Sequence, residues 1–175
     1  IVEGPRARIA DLSFEGVTYF SLEQVQALCK DFKRNAFFDQ RLARTCRDEI
    51  MQAYVRAGFW DCRVQRADAQ LVGQSTYRYH FVINEGPQRL LKSVSIVCPE
   101  LGDQAQFDDI LEQVPFIEYA HLEKPLPFDM YLVQEQRRAL LAYVQKKGYL
   151  QATIKPDLRH DEAGHIDLVW VVEHA

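Results

Sequence analysis

At 175 residues, 47% apolar and 26% charged, the chain has the balance of a folded protein rather than a disordered one. That length suits one medium domain or two small ones. The net charge of −4 is uneven, with 12 Lys and Arg against 11 Asp and Glu in residues 1–86, and 9 against 14 in residues 87–175. Neither half has the basic excess that phosphate backbones call for, and no apolar run reaches the ~18 residues of a membrane-spanning helix.

The chain opens on Ile1 rather than Met, which reads as a processed chain or a slice of a longer one. Its first residues, IVEGP, are echoed by INEGP at 83–87, and the opening phrase is expected to be the tail of a strand from a preceding unit. After each phrase comes a short strand pattern. Leu12 and Phe14 share one face, as do Val94 and Ile96, and an offset of 82 matches Ile9 to Leu91, Leu12 to Val94 and Phe14 to Ile96.

Phe20-Ser21 then starts a helix. Ser21 and Gln24 form a capping box, Phe20 packs on Val25, and the helix runs to about Phe32 with Leu22, Val25, Leu28, Cys29 and Phe32 inward. Asp39 caps a second helix that turns Leu42, Cys46, Ile50, Ala53, Tyr54 and Ala57 inward and stops at Gly58. FWDCRV enters a strand, ADAQLVGQS turns, and TYRYHFVI returns with Tyr77, Tyr79, Phe81 and Ile83 on one face.

The second half repeats this order. QAQFDDILEQV is its first helix, and FIEYAHLEKPLP, with two prolines, is the loop that makes this copy longer. From Phe128 to Ile154 an ungapped offset of 90 reproduces Phe38 to Val64, including the Asp129 cap and the Gly148 stop. The last hairpin turns at HDEAGH, and HIDLVWVV puts Ile166, Leu168, Trp170 and Val172 on one face. Matching those faces needs an offset of 89, whereas 88 would match Glu85 to Glu173. The alternation decides, because a one-residue slip turns the core outward. Pro156, in the penultimate strand, suits a sheet edge. The expected fold class is α+β: two β-α-α-β-β units, residues 1–86 (1–4 being the preceding tail) and 87–175, each a three-stranded mixed sheet on two helices.

In this order, IADLSFEGVTYFS, FDQRL, IMQAYVRAGFWDCRV and FVINEGP resemble the polypeptide-transport-associated (POTRA) domains of BamA/TamA-like outer-membrane assembly and translocation barrels. Gly16 and Phe20-Ser21 fit that pattern and Val17 replaces its Asn; the second copy keeps FDMYL and AYVQKKGYLQATI but has Cys98-Pro99 in place of the strand-end Gly. The resemblance implies a periplasmic module of an outer-membrane protein, in a Gram-negative bacterium or a descended organelle. It implies unfolded outer-membrane polypeptides or periplasmic accessory proteins as partners, and a C-terminal barrel in the parent chain. A module of a two-partner-secretion transporter or a cell-division protein is the alternative. The binding edges it points to are Asp61, Cys62, Arg63, Val64, Gln65 and Arg66 in one unit, and Gln151, Ala152, Thr153, Ile154 and Lys155 in the other. Val64 and Ile154 are expected in the core, with Arg63, Gln65 and Thr153 facing outward. Such edges accept extended chains through main-chain hydrogen bonds. Glu85, Gly86 and Pro87 form a short, stiff interdomain hinge.

Other chemistries find little support. Cys29, Cys46, Cys62 and Cys98 lack metal-ligand spacing; Cys29 and Cys46, on the apolar faces of adjacent helices, read as two buried thiols rather than a bridge. His160, Asp161, Glu162 and His165 fall in a hairpin turn, and Asp108-Asp109 lies on a helix with no His or Cys beside it. Arg41, Arg44 and Arg47 are flanked by Asp39, Asp48 and Glu49 and read as a solvated face. No nucleophile triad or phosphate loop is present, so no enzyme and no cofactor is expected. A KH-like nucleic-acid module needs a GxxG loop that is missing, so no nucleic-acid partner is expected.

Overall fold

Alternating apolar residues build a sheet in each half of the chain, and the computed structural model describes residues 7–65, 68–99 and 124–173. The chain divides into two compact units, Ile1–Val55 with Phe59–Gln88 and Arg56–Gly58 with Arg89–Ala175. Unit 1 holds strand β1 (Arg8–Glu15), helices α1 (Leu22–Leu28) and α2 (Gln40–Arg56), and strands β2 (Arg63–Val64), β3 (Asp68–Gly73) and β4 (Thr76–Asn84). Strand β4 is central, with β1 parallel on one side and β2 and β3 antiparallel on the other. Unit 2 holds β5 (Leu90–Val97), β6 (Leu126–Pro127), α3 (Met130–Lys146), β7 (Thr153–His160) and β8 (Ile166–Glu173), in the sheet order β6-β5-β8-β7. Both sheets are mixed, and the fold class is α+β.

The repeat is visible down to its irregularities. Ile9 and Leu12, three apart, share a face because β1 shifts register between Ile9 and Asp11; β5 does the same between Leu91 and Ser93. Ile9 then pairs with Tyr77, Leu12 with Tyr79 and Phe14 with Phe81, while Leu91 pairs with Ile166, Val94 with Leu168 and Ile96 with Trp170. These pairs confirm the offset of 89, so Glu173 stands where Asn84 does and not where Glu85 does. The segments before α2 and α3 also touch the first strand of their units, as a bridge between Arg8 and Phe37 in unit 1 and as β6 on β5 in unit 2. That contact makes β6 a fourth strand beside the three expected.

Local chemistry sets the helix ends. Ser21 accepts from the Gln24 N–H at 3.1 Å while the Ser21 N–H donates to Gln24 at 2.8 Å, satisfying two otherwise orphaned donors. Asp39 accepts from the Arg41 N–H and Asp129 from the Tyr131 N–H, each at 2.8 Å. Helix α1 ends at Leu28, short of Phe32. Cys29 leaves helical geometry, yet Phe32 stays buried through a further turn, its N–H donating to the Cys29 carbonyl at 3.1 Å. Leu22 is 55% exposed, outside the inward face expected for it.

Two expectations are corrected. Residues 68–73 are strand rather than turn: pairing with β4 overrides the turn-forming Asp68 and Gly73 at the ends, and the hairpin closes over Gln74-Ser75 alone. Cys29 and Cys46 are joined in a disulfide rather than standing as two thiols. The close approach of α1's end to α2 sets their Cα atoms 4.6 Å apart, within disulfide reach, and nothing in the sequence spacing encodes that separation. The first helix expected in the second unit, with Asp108-Asp109, lies outside the described residues, as do the IVEGP opening and most of FIEYAHLEKPLP.

Candidate functional site

In an antiparallel pair, alternate residues direct their N–H and C=O toward the partner and away from it. The Gln65 N–H donates to the Val82 carbonyl at 2.9 Å, which fixes the phase along β4. Val82, His80 and Arg78 therefore face the β2–β3 side. Asp68 and Gln70, paired with His80 and Arg78, bond inward, while Val64, Ala69 and Leu71 turn their backbones to the open edge. The pairing register of β2 differs from that of β3 by one residue. In unit 2 the Asp161 N–H donates to the His165 carbonyl at 3.0 Å, and the register runs unbroken from His160 to Thr153. Ile154, Pro156, Leu158 and His160 consequently face outward. Among the described residues no strand pairs with the far side of β3 or β7.

This phase sorts the edge residues expected from sequence. Asp61 and Gln151 lie in the turns before their strands. Cys62 and Ala152 are buried, with their N–H groups given to the carbonyls of Phe59 and Tyr149. Arg63, Gln65, Thr153 and Lys155 expose their side chains but bond inward through their backbones. Only Val64 and Ile154 present outward main-chain groups, and Arg66 lies outside the described residues. Ile154 is buried as expected, and Val64 is half-buried. The longer open stretches, Ala69–Leu71 and Leu158–His160, were missed. The alternation of Leu71 with Ala69, in step with Tyr77 and Tyr79, was the signal that could have found the first.

Beside β3 lies an open groove of about 460 Å³, lined by Phe38, Gln40, Ala43, Arg44, Arg47, Ala69 and Tyr79. Phe38 stacks on Tyr79 at 5.4 Å between ring centroids and leans on Tyr77 at 5.8 Å.

Glu85 has a fixed place inside unit 1. Its carboxylate accepts from the Thr18 N–H at 2.7 Å, the Tyr19 N–H at 2.9 Å, the Tyr54 hydroxyl at 2.7 Å and the Thr18 hydroxyl. Burial works to raise this carboxyl, but the bonds from Thr18, Tyr19 and Tyr54 together outweigh it and hold the group below its ordinary range. Burial pushes the Cys62 thiol up to about 11, with the Glu85 charge adding to the effect. The same burial, with the bond to Glu85, raises Tyr54. Gly16 lets the β1–α1 loop reach this carboxylate: at φ 80° it passes so close to β4 that a Cβ would meet the Ile83 carbonyl oxygen at 2.0 Å. Gly86 follows at φ 70°, against Asp61.

Two polar clusters lie elsewhere. Asp161 closes the last hairpin by accepting from the Ala163 and His165 N–H groups, both at 2.9 Å, while its other oxygen meets Lys92 and His165 at 3.1 Å each. Ser13 Oγ lies 3.0 Å from His80 Nδ1, and His80 Nε2 lies 3.0 Å from Glu15. Ser13 Oγ also donates to the Tyr79 carbonyl at 3.2 Å, so this row ties β1 to β4 across the solvent face. Among the described residues no His, Cys, Asp and Glu group is placed to hold a metal ion, and no helix is long and apolar enough to cross a membrane.

No family model and no curated protein matches the chain. Solved structures do. Haemophilus influenzae BamA POTRA3-5 is 21% identical with a TM-score of 0.63, over 98% of this chain and 69% of that one. The N-terminal domain of Omp85 from the thermophilic cyanobacterium Thermosynechococcus elongatus is 15% identical with a TM-score of 0.54, over 96% and 63%. POTRA1-2 of the periplasmic domain of Omp85 from Anabaena is 18% identical with a TM-score of 0.51, over 95% of each chain. The fold is that of tandem POTRA domains of the BamA/Omp85 kind.

Proposed function

We propose that this chain is a periplasmic part of an outer-membrane assembly or translocation protein. It receives extended segments of outer-membrane polypeptides, or of accessory proteins, as added strands on β3 and β7. The observation that carries this reading is the pair of open edges, whose outward groups at Val64, Ala69, Leu71, Ile154 and Leu158 can bond an incoming backbone whatever its side chains. The likeness to POTRA3-5 of BamA and to the periplasmic domain of Omp85 supports the setting. In this reading Glu85, Gly86 and Pro87 make a stiff joint, because Glu85 is fastened inside unit 1.

The reading is tested by titrating a fluorescent peptide, taken from a transmembrane strand of an outer-membrane barrel, into the chain. Ala69→Pro and Leu158→Pro each remove one outward donor and leave the inner ladder in place. Each substitution weakens binding severalfold, and the double variant abolishes it. Unchanged affinity in the folded double variant refutes augmentation at these edges.

A further inference from the structure

The groove beside β3 makes unit 1 selective as well as open. Its space comes from two small residues facing each other, Ala43 on α2 and Ala69 on β3, over a floor of Phe38 and Tyr79. One wall is basic. Arg44 and Arg47, one helical turn apart, both line it, and no carboxylate among the described side chains does. Arg47 is committed to Asp48 at 2.7 Å, whereas Arg44 is exposed and makes no ion pair among the described residues. The equivalent place in unit 2 is built differently. Val133 replaces Ala43, Leu158 replaces Ala69, Gln134 replaces Arg44, and Phe128 is 1% exposed where Phe38 is 37% exposed.

A strand added to β3 sends alternate side chains toward α2, at the level of this groove. We infer that the unit 1 edge prefers an extended acidic peptide, with a Glu or Asp side chain lying over the aromatic floor and its carboxylate on Arg44. The inference rests on strand addition at β3. The occupant is a partner polypeptide of that chemistry, chosen because Arg44 offers positive charge that no described side chain pairs, beside an apolar base.

The probe is a short alternating Val/Thr peptide with one central Glu on its valine face, compared with the same peptide carrying Gln. Wild-type chain binds the Glu peptide about three- to fivefold more tightly at low salt, the range of a partly exposed ion pair, and salt narrows the gap. Arg44→Gln, at an exposed helix position, abolishes the preference and leaves Gln-peptide binding unchanged. Ala69→Pro weakens both peptides together. Equal binding of the two peptides to wild type, or a Glu preference that survives in Arg44→Gln, overturns the carboxylate inference while leaving augmentation standing. Loss of neither peptide in Ala69→Pro overturns augmentation at β3, and the inference with it.

Discussion

The two open edges solve one problem by different means. An unpaired strand invites aggregation, and proteins blunt it with bulges, charges or proline. Unit 1 changes register between β2 and β3, leaves Leu71 61% exposed beyond the break and keeps a groove beside it. Unit 2 keeps one regular eight-residue strand, lines its solvent face with Lys155, Asp157 and Arg159, and places Pro156 where its missing N–H faces outward. One repeated plan thus yields an edge that is short and selective and another that is long but lacks a central donor. The glutamates at the strand ends diverge in the same way, with Glu85 buried under four donors and Glu173 half-exposed beside Lys155.

The largest expected effect breaks the comparison at the disulfide. Cys29–Cys46 closes a sequence separation of 17 residues, a constraint of about 3 kcal/mol in the chain-entropy account. Cys29→Ser with Cys46→Ser is expected to lower the urea midpoint of unit 1 and leave unit 2, whose matching helix position is Gln136, unmoved.

Next in size is Glu85. Glu85→Ala strands the Tyr54 hydroxyl and the Thr18 and Tyr19 amides, a loss of roughly 2–3 kcal/mol in urea unfolding. Glu173→Ala removes a pair with the exposed Lys155, an interaction worth less than about 1 kcal/mol, and is expected to cost less than Glu85→Ala. The pH dependence follows the same line. The Glu85 carboxyl is depressed in the folded state, so its contribution is whole above the ordinary value of 4.5 and is lost as pH falls through the folded value beneath it. Acid unfolding of Glu85→Gln should lack that loss.

Periodicity made β1, β4, β5, β7 and β8 and the helices α2 and α3 legible, because each buries one face against the core of its unit. The Phe20-Ser21 helix start, both Asp caps and both Gly stops were equally plain, being local chemistry. What the sequence hid depended on three-dimensional pairing. The 68–73 strand, bounded by the turn-formers Asp68 and Gly73, is fixed by its pairing with β4, and the disulfide depends on how closely α1's end meets α2. The echoed EGP phrase pointed to a joint, while the role of its Glu as an anchor for the Thr18 and Tyr19 amides needed the close pass at Gly16. The expected edge residues include Val64 and Ile154, whose main chains face outward, but stop short of Ala69, Leu71 and Leu158, since the phase of the hydrogen bonds cannot be read from residue types.

That phase offers the most direct test of strand addition. Amide hydrogen exchange of the chain with and without an outer-membrane strand peptide reads each position singly. Bound peptide should slow exchange at Ala69, Leu71, Ile154 and Leu158 and leave the inward-bonded Gln70, Asp157 and Arg159 unchanged. Slowing spread evenly over both sets, or confined to β1 and β5, contradicts the account.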